Sequence, residues 1–472
     1  MSEISASAGK AQGTGTERFL FAALIALVAL APLPLASNRP LPAAALSLAA
    51  GLLLALWGAA LLAGRARLAV SPRRIAWPLA LSGAVALWIV IQTLPLPAGW
   101  GDPAWAEAAA ALGEPLSASI SVNPQATLSA LMRLLAYAAI FWLTMQLARA
   151  PERARTALKA AALTGAAYAA YGIAIYAAGN DWVTIYRKWA YHQALTSTFV
   201  NRNSYATFAG LGLLCAAAWF MGGIRHLLEL KRPLRHKAAL LAEAVFTQSL
   251  FRTTAMLLLL AALFLTGSRA GVAASLVGLF VLLTAMAGGG ARRPMRIAVA
   301  GGITGVLALA ALALGGGLLS ERLAETGRDA SAAGRQLTYS ATMDAITTAP
   351  WTGTGYGTYR EVFAAWRPEP LSSGFFWDKA HNDYLENALE LGLPAALALN
   401  LAIALLALEA LRGLGRRRDR TAAALGVAAT ALVAVHAYFD FSLQMPAVSA
   451  FYAFIMGLAV AQSYPHARRR DG

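Results

Sequence analysis

The stretch His381-Asn382-Asp383-Tyr384-Leu385-Glu386-Asn387 runs on through Glu390, Gly392 and Pro394 into a long apolar segment that reads as a membrane helix. It also closes the longest polar loop of a chain that is otherwise mostly apolar. Charged side chains at a membrane boundary are costly unless paired or used, so His381, Asp383, Glu386 and Glu390 mark a candidate functional site. A structural reading stands beside that one. Asp383 followed three residues later by Glu386 resembles a capping box with Asp in the place of Ser or Thr. Carboxylates in a first helical turn also suit the helix dipole. This accounts for Asp383 and Glu386, but not for His381, two residues before that cap.

Working outward, the 472 residues are 58% hydrophobic and 13% charged, with a mean hydropathy of +0.56. A soluble domain carries roughly 25% charged residues, so the expected fold class is an all-α integral membrane protein. The lone cysteine, Cys215, lies inside an apolar run, which excludes a disulfide framework and a cysteine metal site. A net charge of +16 raises the question of nucleic acid. Position answers it: the basic residues cluster in short loops between apolar runs, at Arg65–Arg74, Arg149–Lys159, Arg225–Lys237, Arg292–Arg296, Arg412–Arg420 and Arg468–Arg470. That is the positive-inside pattern of a membrane protein, and no nucleic-acid partner is expected.

Apolar runs of about 20 residues, the length of a bilayer crossing, recur about twelve times. The expected organisation is a disordered cytoplasmic tail at 1–18, nine spans over 19–318, a large outer loop at 319–386, three spans over 387–463, and a cytoplasmic tail at 464–472. The run at 19–36 reads as an uncleaved anchor, being long and holding Pro32 and Pro34. With the N-terminus inside, every basic cluster falls on the cytoplasmic side. In the outer loop, Leu337, Met343 and Ile346 have near-helical spacing and predict an amphipathic helix on the membrane over 335–349, ended by Pro350. Trp351-Thr352-Gly353-Thr354-Gly355-Tyr356-Gly357 superficially resembles a phosphate loop, but no Lys-Ser/Thr follows, so it reads as a tight, flexible structural turn.

Three outward elements carry cations with no acidic residue within four positions: Arg202 in Phe199-Val200-Asn201-Arg202-Asn203, Arg269 in Thr266-Gly267-Ser268-Arg269-Ala270-Gly271, and Arg335 at the start of the amphipathic piece. One interfacial Arg is ordinarily a snorkelling side chain. Two set in Gly-, Ser- and Asn-rich junctions are harder to dismiss, because small residues permit close approach and guanidinium forks match phosphate oxygens. Arg133, inside a span, needs a carboxylate, a carbonyl or a wet cavity, and Asp440 is one conceivable partner. His436 reads as a helix-packing hydrogen bonder. The histidines lack metal-ligand spacing. Cations and a base at an outer membrane face, without ATP or metal motif, fit group transfer from a lipid diphosphate: the cations stabilise the leaving group and a His takes the acceptor's proton.

His381-Asn382-Asp383-Tyr384-Leu385-Glu386 with Glu390-Leu391-Gly392-Leu393-Pro394, the Phe-Val-Asn-Arg-Asn element, the Gly-Ser-Arg-Ala-Gly turn and the run from Arg335 through Pro350 to Gly355 together resemble the O-antigen ligase and polymerase superfamily. The resemblance covers roughly 190–410. It implies a multi-pass protein of the bacterial inner membrane with a periplasmic active face, the loop 319–386 lying in the periplasm. It implies transfer of glycan from undecaprenyl diphosphate to lipid A-core or a growing polysaccharide, without cofactor, metal or ATP. Carried onto this chain, His381 is the catalytic base or orients the acceptor, and Arg202, Arg269 and Arg335 bind the diphosphate. Asn201, Asn203, Ser268, Asn382, Asp383, Tyr384 and Glu386 support them. Ligase, polymerase and protein O-oligosaccharyltransferase branches all fit. A transporter or flippase of lipid-linked oligosaccharide, and a non-catalytic scaffold, are the contrasting readings.

Overall fold

A computed structural model of the chain describes residues 14–97, 99–179, 181–229, 250–286, 293–314, 330–371 and 377–465, with the single positions 236 and 243. The start of the expected N-terminal tail, the middle of the basic loop after Arg225, residues 319–329 and 372–376 of the outer loop and the tail beyond 465 lie outside the described residues. The helices are α1 (Gly15–Leu30), α2 (Pro40–Leu62), α3 (Ala76–Gln92), α4 (Ala104–Leu112), α5 (Pro124–Leu147), α6 (Pro151–Ala177), α7 (Arg202–Glu229), α8 (Leu250–Leu265), α9 (Arg269–Met286) and α10 (Arg293–Leu314). There follow α11 (Ala330–Thr348), α12 (Tyr359–Trp366), α13 (Asp383–Leu391), α14 (Leu393–Arg416), α15 (Thr421–Ala437) and α16 (Pro446–Gln462). A two-residue antiparallel ribbon, β1 (Trp182–Val183) with β2 (Tyr186–Arg187), stands between α6 and α7.

Among the described residues, seven helices are long and apolar enough to cross a membrane, and four apolar helices are shorter. The chain is therefore a multi-pass membrane protein, though length and composition identify seven spans where the apolar runs predict about twelve. Backbone polar groups satisfied within each helix are what a bilayer demands of a spanning segment.

The bundle is built around α16, buried at every position except Ala453, and around α7. A helix apolar all round belongs in an interior. Tyr205 and Phe208 of α7 meet Phe199, and Phe208 packs on Phe451 of α16 with ring centroids 4.9 Å apart. Small residues let backbones close up, as membrane helices require in place of a hydrophobic drive: a Cβ on Gly165 of α6 would lie 2.9 Å from Gly212 Cα of α7. Gly210 and Gly271 would meet Ser275 and Ala206 in the same way, which holds α7 and α9 side by side at their N-terminal turns.

Several expected boundaries shift. The span expected from 387 begins at Leu393, because Gly392, at φ 77°, breaks the helix between α13 and α14. The expected 19–36 run is helical only to Leu30, then turns through Leu35–Ser37, all at positive φ. The expected 335–349 helix is α11; Leu337 and Ile346 pack on Tyr359, Phe363 and Leu389, whereas Met343 is exposed, so it is not part of the packed face. The segment 351–357 is a packed joint rather than a flexible turn. Thr354 and Gly355 donate backbone hydrogen bonds to Leu389 and Glu390 carbonyls, and a Cβ on Gly392 would lie 2.5 Å from the Trp351 carbonyl oxygen.

The two ends of the bundle differ in chemistry. At one end Glu17 pairs with Arg153, Gln146 bonds Val70, and Arg149 and Arg417 both donate to the Tyr464 carbonyl. The other end carries the turn at 37–40, the ribbon, the α8–α9 turn, α11–α13 and the connector 438–445.

Candidate active site

His381 occupies the left-handed region at φ 53°, immediately before α13. Asn382, not Asp383, is the N-cap: its side-chain oxygen accepts from the Tyr384 and Leu385 amides at 3.0 and 3.2 Å. The one-residue shift frees Asp383 and Glu386 from capping and turns both inward, where they are buried. Glu386 accepts from Lys379 Nζ at 2.8 Å and from the Ala380 amide at 3.0 Å. Asp383 accepts from the Leu443 amide at 3.3 Å, tying α13 to the connector; its other oxygen is buried without a partner among the described residues. Burial first, and the neighbouring Glu386 second, push the Asp383 carboxyl well above the usual carboxylate range. The same two causes raise Glu390 to about 8. Tyr384 donates to the Ala434 carbonyl and so pins α13 to α15.

The partner of His381 is Asp440, with Nδ1 3.1 Å from Oδ1. Asp440, one conceivable partner for Arg133 in the sequence, instead pairs with His381; the connector after α15 turns it toward the α13 cap. Asp440 is fully buried and also accepts from the Phe441 amide. Burial alone would raise its carboxyl, but the His381 hydrogen bond and the charges of His381, His436 and Arg335 outweigh it and hold Asp440 at about 2. An ionised acceptor puts the Nδ1 proton on the ring and leaves Nε2 as the basic nitrogen, an inferred tautomer. The ring is further framed by Trp377 and Phe441, both edge-on, at 5.9 and 4.8 Å.

The cations gather at the same end. Asn201 caps α7, accepting from the Asn203 and Ser204 amides, and Ser268 caps α9, accepting from the Gly271 amide. Arg202 and Arg269 therefore stand at the first positions of two packed helices whose positive dipole ends point the same way. Arg202 lies over the Tyr191 ring at 5.5 Å, and its Nε is buried without a hydrogen-bond partner among the described residues. Asn203 is buried in the first turn of α7. Arg335 lies one turn before Tyr339, whose hydroxyl donates to the His381 carbonyl at 2.8 Å; beside it, a Cβ on Gly334 would lie 3.0 Å from the Trp377 ring. Neither Arg202 nor Arg335 joins an ion pair among the described residues.

A buried hydrogen-bonded cluster ties α7 to α15 and the connector that carries Asp440. Thr207 Oγ1 lies 3.0 Å from His436 Nδ1 and donates to Ser442 Oγ at 2.9 Å, two residues beyond Asp440. His436 is thus the helix-packing hydrogen bonder expected of it. Sequence reading missed Asp440 as the His381 partner, as well as Tyr339, Trp377, Tyr191 and Lys379. Asp440 is 59 residues from His381, and no local pattern pairs them. Among the described residues no cluster of His, Cys, Asp and Glu is grouped to hold a metal ion.

Residues 254–400, from α8 through α9 and the outer loop into α14, match the family model described as O-antigen ligase. No curated protein matches the chain. The matched region contains Arg269, Arg335 and His381; Arg202 and Asp440 lie outside it.

Proposed function

We propose, from the match of residues 254–400 to the O-antigen ligase family model, that the chain is a glycosyltransferase of the O-antigen ligase/polymerase kind using a lipid-diphosphate-linked glycan. The carrier is undecaprenyl diphosphate, and the acceptor is a hydroxyl of lipid A-core or of a growing polysaccharide. The reading includes twelve crossings of a bacterial inner membrane, both termini in the cytoplasm and the loop 319–386 in the periplasm. It is supported by the positive-inside distribution of basic loops in the sequence and by the place of Arg149, Arg153 and Arg417 at the end of the bundle away from His381.

The observation that carries it is the His381–Asp440 dyad at the same end of the bundle as two Arg-bearing helix N-termini. In the proposed step the acceptor oxygen attacks the anomeric carbon while the bond from that carbon to the phosphate oxygen breaks. Undecaprenyl diphosphate leaves with the bonding pair, its charge met by Arg202, Arg269, Arg335 and the dipole ends of α7 and α9. The acceptor proton passes to His381 Nε2, and Asp440 steadies the resulting imidazolium. No residue of this scheme requires ATP or a metal.

The test is transfer from purified lipid donor to purified acceptor in detergent, where transport has no compartments to act on. His381→Ala and Arg269→Gln are each expected to lower the rate by about 10² or more, with protein levels unchanged. Full activity of both would overturn the proposal. The glycan profile of a deletion strain separates the branches: long unattached lipid-linked chains mark a ligase, single repeat units a polymerase.

A further inference from the structure

We propose a second anion site, distinct from the dyad, that takes the phosphate of a membrane-lipid headgroup in the pocket between Arg39 and Arg133. The pocket encloses about 220 Å³ between the N-terminal half of α2 and the first turns of α5. Asn38, Arg39, Ser47, Ser129, Met132 and Arg133 line it, with small apolar residues completing the wall, and no acidic side chain among them. Ser47 and Ser129 spend their hydroxyl protons on the Ala43 and Gln125 carbonyls. The donors left at the pocket are therefore two guanidinium groups and the Asn38 amide. Neither arginine joins an ion pair among the described residues.

Arg133 stands nine residues beyond the first residue of α5, roughly 13 Å along its axis at 1.5 Å per residue. A cation that deep needs an anion or a wet cavity, and the structure supplies a cavity lined with donors. A two-arginine fork matches phosphate oxygens.

The surroundings say what carries the phosphate. Leu41, Leu48, Leu128, Met132 and Leu135, on α2 and α5, are all exposed, so the pocket opens within an apolar surface of span-length helices. A soluble anion gains nothing from that belt, whereas a lipid lays its acyl chains along it. The pocket is also linked to the dyad's end of the bundle. Arg39 lies over Trp189 at 5.4 Å, and two residues on, Tyr191 lies under Arg202.

The full chain, purified and stripped of lipid, would be titrated with short-chain phosphatidylglycerol, short-chain diacylglycerol and inorganic phosphate, reading thermal stabilisation and, by native mass spectrometry, retained lipid. Phosphatidylglycerol is expected to stabilise the protein and to be retained. Arg39→Gln and Arg133→Gln should each weaken that binding about tenfold or more, and Arg360→Gln on the outer loop should leave it unchanged. Arg133→Lys, which keeps the charge, guards against a folding defect and should bind with intermediate affinity. Equal binding by wild type and both Gln variants, or diacylglycerol binding as tightly as phosphatidylglycerol, overturns the site. Inorganic phosphate acting as well as the lipid overturns the lipid as its source. The readout is binding rather than glycan transfer, so this proposal and the transferase reading fail separately.

Discussion

At the residue scale, the proposed chemistry rests on one buried carboxylate. Asp440 fixes the orientation of His381 and its proton. Asp440→Asn is expected to reduce kcat for glycan transfer by about 10² or more while changing KM little, since the acceptor and donor contacts survive. Its stability signature has a definite sign. The folded carboxyl sits at about 2, below its ordinary 3.8, so its contribution is present above pH 4 and is lost as pH falls toward 2. The melting difference between native protein and Asp440→Asn should shrink across that window. Glu390 works oppositely. Its folded value is raised to about 8, so its contribution is full below 4.5 and is lost as pH rises through 8. Glu390→Gln should therefore flatten the melting temperature between pH 5 and 8 and raise it by a few degrees at the upper end; an unchanged profile would show that this carboxyl does not govern the loss.

At the element scale, the site depends on two close approaches. The first is α7 against α9. Gly210→Ala would drive a methyl into Ser275, and double substitution with Ser275→Gly should recover most of the lost stability, since the obstructing hydroxymethyl is removed. Additive losses in that cycle would mean the two helices do not meet there. The second is the α13–α14 break. Gly392→Ala places a Cβ 2.5 Å from the Trp351 carbonyl oxygen at φ 77°, and should cost roughly 1–3 kcal/mol. Because His381 directly precedes the Asn382 cap of α13, activity should fall with stability.

At the scale of the whole molecule, the prediction concerns sidedness. The chain has one cysteine, Cys215, and it is buried. In a Cys215→Ala background, cysteine introduced at Asn38 or Ser340 should react with a membrane-impermeant maleimide added from the periplasmic side. Cysteine at Arg67 or Arg418 should react only after the membrane is opened. The reverse labelling would place the His381 end in the cytoplasm and end the transferase reading.

The sequence by itself determined the membrane class, the clustering of basic residues in short loops and the identities of the candidate cations and imidazole. Composition, helix period and basic-loop parity are local quantities that survive without a partner in space. The Arg202 and Arg269 junctions were legible for the same reason, since Asn201 and Ser268 cap their helices through bonds to the next few residues. Only the tertiary structure decided which carboxylate serves His381, that Asn382 rather than Asp383 is the cap, and that Glu386 answers Lys379. The Asp440 pair closes 59 residues of chain. With Asn382 as the cap, Asp383 and Glu386 lie three residues apart on one face of α13, and packing against Lys379 and the connector turns that face inward. Pairings of that kind are settled by how helices pack, and no periodicity in the chain records them.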